Sequence, residues 1–332
     1  MSPFPTLTAR RPSAEAQMTK QGTNTTRREL LALASSAGAA LVALAGAGSL
    51  PFRALAQQPM PQRRIPATGE MLPVIGLGSS KPVEEIAKNG VEPITAVLRA
   101  LVASGGKLVD TWPRNADNDA AFGRVASLPD LRDKLFVTTK IDQVGKKAGL
   151  AQFRETQRLY QRKKLDLVQI FSLFDLDTHW PTLKDLKAAG DARYIGVTVA
   201  ESRRYGELER FLMHEKPDFI QVNYSITERE SEKRILPFAA DHGLAVLINR
   251  PFMNGTYFDK LKDQPLPDWA AEFECKTWAQ FSLKYILANP AVTCVLTETS
   301  NPQHMADNAQ TSLGPVPNAA QRERMGAFID KV

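Results

Sequence analysis

Three polar side chains lie at or near the ends of short apolar segments, where a folded chain could use them for chemistry. Asp110 is near the end of "KLVDT", Lys140 ends "LFVTTK", and Gln221 lies within "FIQVNY". A carboxylate beside an ammonium can hold that ammonium in place and shift the pKa of a third group, as acid–base catalysis requires. Because a buried aspartate–lysine pair is structural as often as it is catalytic, both interpretations stay open at this point.

The segments that must position these residues alternate between short apolar strands and amphipathic helices. Each candidate strand is rich in Val, Ile or Leu, as expected of buried parallel strands. The candidates are "PVIGLG" (73–78), "KLVDT" (107–111), "LFVTTK" (135–140), "DLVQIFSL" (166–173), "YIGVTV" (194–199), "FIQVNY" (219–224), "LAVLIN" (244–249) and "AVTCVL" (291–296).

Eight strands, each followed by a helix, predict an α/β chain that forms a (β/α)8 TIM barrel. An open doubly wound sheet is the alternative, but "GLGSS" at 76–80 does not match the Gly-rich phosphate loop that such sheets carry. The segment "RRIPATGEMLPVIGLG" predicts an N-terminal β-hairpin that closes the barrel floor. Chemistry in such barrels takes place at the carboxyl ends of the strands.

Residues 1–56 differ from the remainder of the chain and have the layout of a secretory leader. Arg27 and Arg28 are paired and precede an uncharged stretch from Leu30 to Phe52, which ends near the small-x-small sequence Ala54-Leu55-Ala56. The arginine pair predicts a twin-arginine signal peptide behind a disordered N-terminus, and so a periplasmic or otherwise exported protein. An uncleaved leader that anchors the chain to the membrane is the alternative.

This interpretation divides the chain into a leader, 1–56, and a barrel, 57–332. It makes the twin-arginine export machinery a partner and the membrane a transient contact. Met18 lies nearer the arginine pair than Met1 does, and translation from Met18 would give a leader of ordinary length.

The net charge of +6 belongs largely to the predicted leader. Residues 1–56 hold six basic and two acidic side chains, which leaves +2 for residues 57–332. The barrel segment therefore has no basic excess that would indicate nucleic-acid binding. Its two cysteines, Cys294 in a predicted buried strand and Cys275 at the predicted start of a helix, are expected to be unpaired and buried. No Cys/His spacing typical of a metal site is present.

The chain resembles the aldo-keto reductase family over residues 64–330. The resemblance rests on "LPVIGLG", "LVDTWP", "LFVTTK", "DLVQIF", "ARYIGVT", "FIQVNYS", "ILPFAADHGLAVLINRPF" and "SNPQHMADN", which occur in the expected order. It implies a (β/α)8 barrel that transfers a hydride from a nicotinamide cofactor, usually NADPH, to a carbonyl group. A small-molecule substrate or ligand is therefore expected.

The resemblance also implies four catalytic side chains, of which this chain keeps two. Asp110 matches the family aspartate and Lys140 the lysine that lowers the pKa of a proton-donating tyrosine. The tyrosine position is occupied by Asn115 and the position of the histidine that orients the carbonyl by Phe171. An amide is no general acid and a phenyl ring forms no hydrogen bond of the required kind. Ordinary carbonyl reduction is therefore not expected.

A few other residues are candidates for the missing proton donor. Tyr224 and Tyr257 follow the sixth and seventh predicted strands, but both are expected to pack rather than to reach the pocket. His179 is expected in the loop after the fourth strand with no catalytic role. Lys140 could itself donate a proton if burial lowered its pKa. Phe171, Trp112 and Trp180 would make the pocket more apolar.

The cofactor residues are implied by the resemblance. Gln221 matches the residue that contacts the nicotinamide amide, and Arg250 falls where the family stacks an aromatic ring. Ser300, Asn301 and Asn308 match the residues that hold the adenosine phosphate and adenine.

Glu298 departs from the family pattern. A carboxylate there would repel the 2′-phosphate and favour NADH over NADPH, or would point into solvent with little effect.

Two functions remain open at this level. The first is a nicotinamide-dependent oxidoreductase, using NADP or NAD, with altered or weak activity. The second is a non-catalytic barrel that binds a cofactor, a small molecule or a protein partner in the periplasm.

Overall fold

The computed structural model describes residues 59–332. The predicted leader, residues 1–56, lies outside the described residues. Ten strands are present: β1 Gln62–Arg64, β2 Met71–Pro73, β3 Ile75–Gly78, β4 Leu108–Asp110, β5 Phe136–Ile141, β6 Leu165–Ile170, β7 Ala192–Val199, β8 Phe219–Asn223, β9 Ala245–Asn249 and β10 Cys294–Glu298.

Thirteen α-helices are described in the same residues. They are α1 Ser80–Glu84, α2 Ile86–Asn89, α3 Glu92–Ala103, α4 Ala116–Ala126, α5 Lys146–Leu159, α6 Leu176–Ala188, α7 Tyr205–Leu212, α8 Glu230–Lys233, α9 Ile235–His242, α10 Thr256–Lys260, α11 Trp278–Leu287, α12 Pro302–Gln310 and α13 Ala319–Ile329. Short 3₁₀ helices cover Phe171–Leu173, Ser202–Arg204, Met253–Gly255 and Asp268–Phe273.

Strands β3 to β10 pair in parallel and close into an eight-stranded barrel. This confirms the predicted (β/α)8 fold, and each of the eight strands overlaps its predicted segment. Side chains alternate across each strand: Leu108, Phe136 and Leu167 lie in an inner cluster, whereas Val109, Val137 and Val168 pack in the larger outer cluster. Burial of both faces explains why the strands read as continuous apolar runs.

The predicted hairpin is present and closes the amino-terminal end of the barrel. Strands β1 and β2 pair antiparallel, and Ile65 and Leu72 join the inner cluster of barrel side chains. The hairpin residue Glu70 accepts hydrogen bonds from Lys107, at 3.0 Å, and from Tyr194, at 2.7 Å. The floor is therefore both packed and fixed by hydrogen bonds, which leaves the opposite end open to solvent.

Two details differ from the sequence-based expectations. The fourth barrel strand ends at Ile170, because Ser172 takes a left-handed backbone with φ of 48° and the segment Phe171–Leu173 forms a 3₁₀ helix. Cys275 lies between the 3₁₀ helix Asp268–Phe273 and α11 rather than at the start of a helix. Cys275 and Cys294 are both free and buried, as predicted.

Within residues 59–332, no helix is both long and apolar enough to cross a membrane. The same residues contain no cluster of three or more His, Cys, Asp or Glu side chains that could hold a metal ion.

Candidate active site

The three polar residues picked out in the sequence meet inside the barrel. Asp110 accepts hydrogen bonds from Lys140 Nζ at 2.7 Å, from Thr138 Oγ1 at 2.6 Å and from Gln221 Nε2 at 3.0 Å. Alternation along β5 places Thr138 and Lys140 above the inward-facing Phe136. All four side chains are buried, so a charged pair is held in the barrel with its carboxylate fully hydrogen-bonded.

Lys140 is positioned by two acceptors and has one N–H group left over. Its Nζ donates to Asp110 and, at 3.0 Å, to the carbonyl oxygen of Thr111. An ammonium carries three protons, so one remains available. Lys140 also lines the pocket at the carboxyl ends of the strands. The arrangement therefore presents one fixed positive charge to whatever occupies that pocket.

The pocket at this end of the barrel has a volume of about 470 Å³. Its floor includes Asp110, Lys140, Thr198 and Gln221, and one wall is formed by the segment 249–255. The location is the one at which TIM barrels carry their sites. Asp110, Lys140 and Gln221 are therefore brought together as the sequence predicted.

Two aromatic rings that line the pocket stack face to face. Trp112 and Phe171 stack with ring centroids 3.9 Å apart and an interplanar angle of 22°. The indole Nε1 of Trp112 donates to Asp142 at 2.9 Å, which fixes the ring, and the guanidinium of Arg114 lies 4.2 Å from its centroid. Phe171 thus places an apolar ring in the pocket.

Asn115 has a structural role at the start of α4. Its side-chain oxygen accepts the backbone N–H groups of Asp117 and Asn118, both at 3.1 Å, which is the geometry of a helix N-cap. The same turn is held by Asp119, whose carboxylate accepts the backbone N–H groups of Arg114 and Asn115 at 3.0 Å. Asn115 is not among the residues that line the main pocket.

The loops around the pocket hold most of the strained backbone in the described residues. Eight non-glycine residues in the described part of the chain have positive φ, and six of them lie in the two segments that carry Phe171 and Arg250. The six are Ser172, Leu173, Asp175, Arg250, Met253 and Asn254. Each left-handed residue costs about 1–3 kcal/mol, so the surrounding packing must impose these conformations.

Two pocket oxygens have no hydrogen-bond partner in the described structure. They are Oε1 of Gln221 and Oδ1 of Asn249, and both residues line the pocket. A buried acceptor without a donor is costly, so these atoms fit a ligand that brings N–H groups. Asn249 was missed in the sequence, although its alternation with Leu247 on β9 could have indicated that it faces inward.

The remaining predicted cofactor residues are only partly brought to this pocket. Arg250 lines the pocket and is exposed. Ser300, Asn301 and Asn308 do not line it: Ser300 Oγ donates to Glu85 at 2.5 Å, Asn301 caps α12, and Asn308 is buried in that helix.

Glu298 is part of the pocket wall rather than directed only into solvent. Its Oε1 accepts the backbone N–H of Lys81 at 2.9 Å. Partial desolvation raises the pKa of the Glu298 carboxyl, although the residue as a whole remains exposed.

None of the tyrosines considered as substitutes lines the pocket. The hydroxyl of Tyr224 contacts Glu232 and Arg322, and that of Tyr257 donates to the carbonyl oxygen of Trp278 at 3.1 Å. Both pack, as predicted.

Two expectations about the fourth loop were wrong. His179 lies inside α6, which begins at Leu176, and its Nε2 is hydrogen-bonded to the carbonyl oxygen of Gln143. Trp180 does not line the pocket, because the same helix turns its ring outward to pack against Phe211 at a centroid distance of 5.0 Å.

The sequence model of the aldo/keto reductase family matches residues 74–318. The chain belongs to the aldo/keto reductase family. Aldo-keto reductase YhdN of Bacillus subtilis is 24% identical over 187 residues, covering 50% of this chain and 54% of that protein. The NADH-specific methylglyoxal reductase of Escherichia coli is 28% identical over 109 residues, only 31% of its length. An aldo-keto reductase of Mycolicibacterium vanbaalenii is 28% identical over 252 residues, 71% of this chain and 81% of that one.

Solved members of the family share the barrel. The Klebsiella pneumoniae aldo-keto reductase in complex with NADPH has a TM-score of 0.67 at 23% identity, covering 79% of this chain and 92% of that one. The holo form of AKR11C1 from Bacillus halodurans has a TM-score of 0.65 at 18% identity, covering 81% and 96%. At these identities the likeness bears on the fold alone.

The buried Asp119 predicts a measurable effect of pH on stability. Burial raises the pKa of Asp119 from 3.8 to about 6. The folded chain then keeps a proton that the unfolded chain releases, so this group's contribution to stability falls as pH rises from about 4 to about 6. We expect the free energy of unfolding of Asp119→Asn, relative to that of the unsubstituted protein, to rise by about 1–2 kcal/mol over that pH range. Urea unfolding at several pH values measures this difference.

Asp117→Asn is the matched control for this prediction, because Asp117 is exposed in the same turn of α4. Equal pH dependence in the Asp119→Asn variant and the unsubstituted protein would contradict the assignment.

Proposed function

We propose that this chain is a nicotinamide-dependent oxidoreductase whose reaction does not use the tyrosine and histidine of its family. The observation that carries the proposal is the buried Asp110–Lys140–Gln221 cluster at the base of a pocket, with the Gln221 Oε1 atom unpaired. Family membership supports it, as do the NADPH and NADP complexes of the Klebsiella relative.

The residues of the pocket fit a nicotinamide group. The unpaired oxygens of Gln221 and Asn249 are acceptors for the amide N–H groups of a carboxamide. Arg250 supplies a planar cation that can stack on a ring or pair with phosphate. Ser300, Asn301 and Asn308 would hold the adenosine end by resemblance. When bound, the reduced cofactor supplies a hydride.

The residues around Lys140 determine which reactions the pocket can promote. Lys140 directs a fixed ammonium into the pocket, where it attracts negative charge that develops on a substrate oxygen. Trp112 and Phe171 make one side of the pocket apolar. Since Asn115 and Phe171 provide no phenol or imidazole, the altered activity follows from the loss of a general acid.

Glu298 favours NADH as the cofactor. Its carboxylate lies at the pocket wall and is near Glu84, at the end of α1, while Glu85 lies next to Ser300. A 2′-phosphate in this region would meet like charge and lose affinity. The NADH-specific methylglyoxal reductase of Escherichia coli indicates that the family includes such a preference.

Titration of the purified protein with NADH and NADPH tests the proposed function. We expect micromolar binding of NADH, seen as quenching of tryptophan fluorescence and an increased melting temperature, and at least tenfold weaker binding of NADPH. Glu298→Lys is expected to reduce or reverse this ratio by removing a negative charge and adding a positive one.

Glu323→Lys is the control, because it makes the same charge change at an exposed position on α13 outside the pocket. If neither nicotinamide binds at millimolar concentration, the oxidoreductase proposal is wrong. If Glu298→Lys and Glu323→Lys shift the ratio equally, the local argument for NADH fails.

A second test introduces the tyrosine and histidine that the family resemblance implies. In this structure the substitution of Trp112 is needed as well. Because Trp112 stacks on Phe171 beside Lys140, the bulky indole must also be removed. We expect the triple variant Trp112→Ala, Asn115→Tyr, Phe171→His to gain cofactor-dependent reduction of 4-nitrobenzaldehyde by at least 100-fold, measured by loss of absorbance at the reduced cofactor's band.

The same triple variant with Lys140→Met serves as the control, since a tyrosine without its lysine is a poor acid at neutral pH. Activity in both variants alike, or in neither while the cofactor still binds, would contradict the role given to the lost residues.

A non-catalytic barrel that binds a small molecule is the second candidate. The observation that favours it is the capping role of Asn115, which gives that residue a function in folding without chemistry. Cofactor binding without turnover of any carbonyl compound would support this alternative over the first.

We also propose that the chain is exported through the twin-arginine machinery, on the strength of Arg27-Arg28 and the Ala54-Leu55-Ala56 sequence. The double change Arg27→Lys, Arg28→Lys is expected to retain the protein in the cytoplasm, and N-terminal sequencing of the exported form is expected to begin at Gln57. Arg10→Lys with Arg11→Lys is the matched control. Unchanged export of the first variant, or an exported chain that keeps its leader, would refute this proposal.

A further inference from the structure

Positive charge is concentrated in one short segment of the barrel. Residues 154–164, "RETQRLYQRKK", contain five basic side chains and one acidic side chain, which gives a net charge of +4. Residues 57–332 as a whole carry +2, so the remainder of the barrel segment is net negative. A barrel with charge distributed in this way is turned by the field of an anionic partner so that one face approaches it first.

The fold brings the loop before β5 to the same region. Helix α5 ends at Leu159 and β6 begins at Leu165, so residues 160–164 lie at the floor end of the barrel, opposite the pocket. Residues 132–134 precede β5 at that end. We call the basic residues of these two segments the basic face: Arg132, Lys134, Arg154, Arg158, Arg162, Lys163 and Lys164.

Arg132 and Arg162 are held next to each other by the backbone. Arg162 donates to the carbonyl oxygen of Arg132 at 2.9 Å, and Arg132 donates to the carbonyl oxygen of Gln161 at 3.3 Å. Burial lowers the pKa of the Arg162 guanidinium, Asp166 and Asp133 raise it, and the charge of Arg132 lowers it. Because these two like charges repel each other, an external anion that contacts both is favoured.

Most of the basic face has no carboxylate partner in the described part of the chain. Its two salt bridges join Arg154 to Asp191 at 2.7 Å and Arg158 to Glu155 at 2.6 Å. A cavity of about 490 Å³ opens on this face, lined by four of the basic residues and by one carboxylate, that of Asp191. Guanidinium and ammonium groups in excess around an open cavity are the donors that bind phosphate oxygens.

The basic face has no apolar centre. Seven large apolar side chains are exposed in the described residues, and none of them lies in 132–134 or 154–164. Protein interfaces have an aromatic or aliphatic core within a polar rim, and single-stranded nucleic acids stack their bases on aromatic rings. A charged face without either feature fits the head groups of anionic phospholipids, which it contacts through their phosphates.

We infer that the basic face docks the barrel onto a bilayer that contains anionic phospholipid. Lipid phosphates contact Arg132, Arg162 and Lys163, and Lys134 and Lys164 lie beside them in the chain. Because the basic face is at the floor end, docking leaves the pocket at the carboxyl ends of the strands open to solvent. The surface is separate from the pocket, so the inference does not depend on the proposed oxidoreductase activity.

Co-sedimentation of the full-length protein with vesicles tests this inference. We expect binding to vesicles of about 30% phosphatidylglycerol in phosphatidylcholine to be at least tenfold tighter than binding to phosphatidylcholine alone, and to weaken as NaCl rises from about 0.1 M to about 0.5 M. The triple variant Arg132→Gln, Lys163→Gln, Lys164→Gln is expected to reduce this ratio at least tenfold. The predicted leader is common to every variant, so its own contribution cancels in the comparison.

The triple variant Lys88→Gln, Lys262→Gln, Lys276→Gln is the matched control, because it removes the same charge from exposed lysines outside the basic face. It is expected to bind as the unsubstituted protein does, and both triple variants are expected to keep its melting temperature. Equal loss in the two variants, loss in neither, or equal binding to the two kinds of vesicle overturns the inference.

The orientation of the docked barrel is measured separately. A fluorophore attached to Gln161→Cys, which is exposed within the cavity of the basic face, is expected to be quenched by nitroxide-labelled lipid. The same fluorophore on Val144→Cys, which is 72% exposed in the loop after β5, is expected to stay bright. Cys275 and Cys294 are buried and are expected to remain unlabelled.

Two further outcomes would contradict docking through this face. Quenching at Val144→Cys without quenching at Gln161→Cys would place the opposite end of the barrel on the bilayer. Tighter binding of a short DNA duplex than of the anionic vesicles, lost in the triple variant of the basic face, would replace the lipid with a nucleic acid as the partner.

Discussion

The ion pair between Asp110 and Lys140 is the constraint on which the site depends. A carboxylate and an ammonium buried together lose several kcal/mol of hydration each, and they recover it only through short, well-aligned hydrogen bonds. Asp110 obtains three such bonds, from β5 and β8, and Lys140 is held by Asp110 and by the backbone of Thr111. These contacts require β4, β5 and β8 to hold their positions around one closed barrel, so the fold and the site constrain each other.

The hydrogen bonds of this pair also indicate which positions around the site are free to vary. A tyrosine and a histidine above Lys140 would be positioned by their own loops, and neither contributes to the hydrogen bonds that satisfy Asp110. Asn115 and Phe171 likewise take no part in these hydrogen bonds, and each has a structural role of its own: Asn115 caps α4, and Phe171 stacks on Trp112. Removing Lys140 would instead leave a buried carboxylate unpaired, so this residue stays necessary to the fold even if the chemistry changes.

The sequence predicted the barrel well because its signals are local and strong. Apolar runs bounded by polar turns mark β3 to β10, and hydrophobic alternation places Asp110 and Lys140 on the inner face. The loops were predicted poorly, since left-handed residues such as Ser172 and Asn254 carry no sequence signature comparable to glycine. Trp180 was assigned to the pocket because it follows β6 closely, but its orientation is set by the start of α6, which periodicity locates only to within a few residues.

Buried polar atoms without hydrogen-bond partners distinguish the site from an ordinary apolar core. Gln169 is fully buried beside Lys140 on the next strand, and both its side-chain oxygen and nitrogen lack partners in the described structure, as does Gln221 Oε1. A core selected for stability alone would replace such amides with apolar residues of similar size, because each unsatisfied group costs about 1–3 kcal/mol. Of the two amides, Gln221 lines the pocket beside the Asp110–Lys140 pair, so its unpaired oxygen is available to a ligand. In that low-dielectric surrounding the Lys140 charge acts on a developing oxyanion more strongly than it would in water, which is how a site without a general acid can still lower the barrier to hydride transfer.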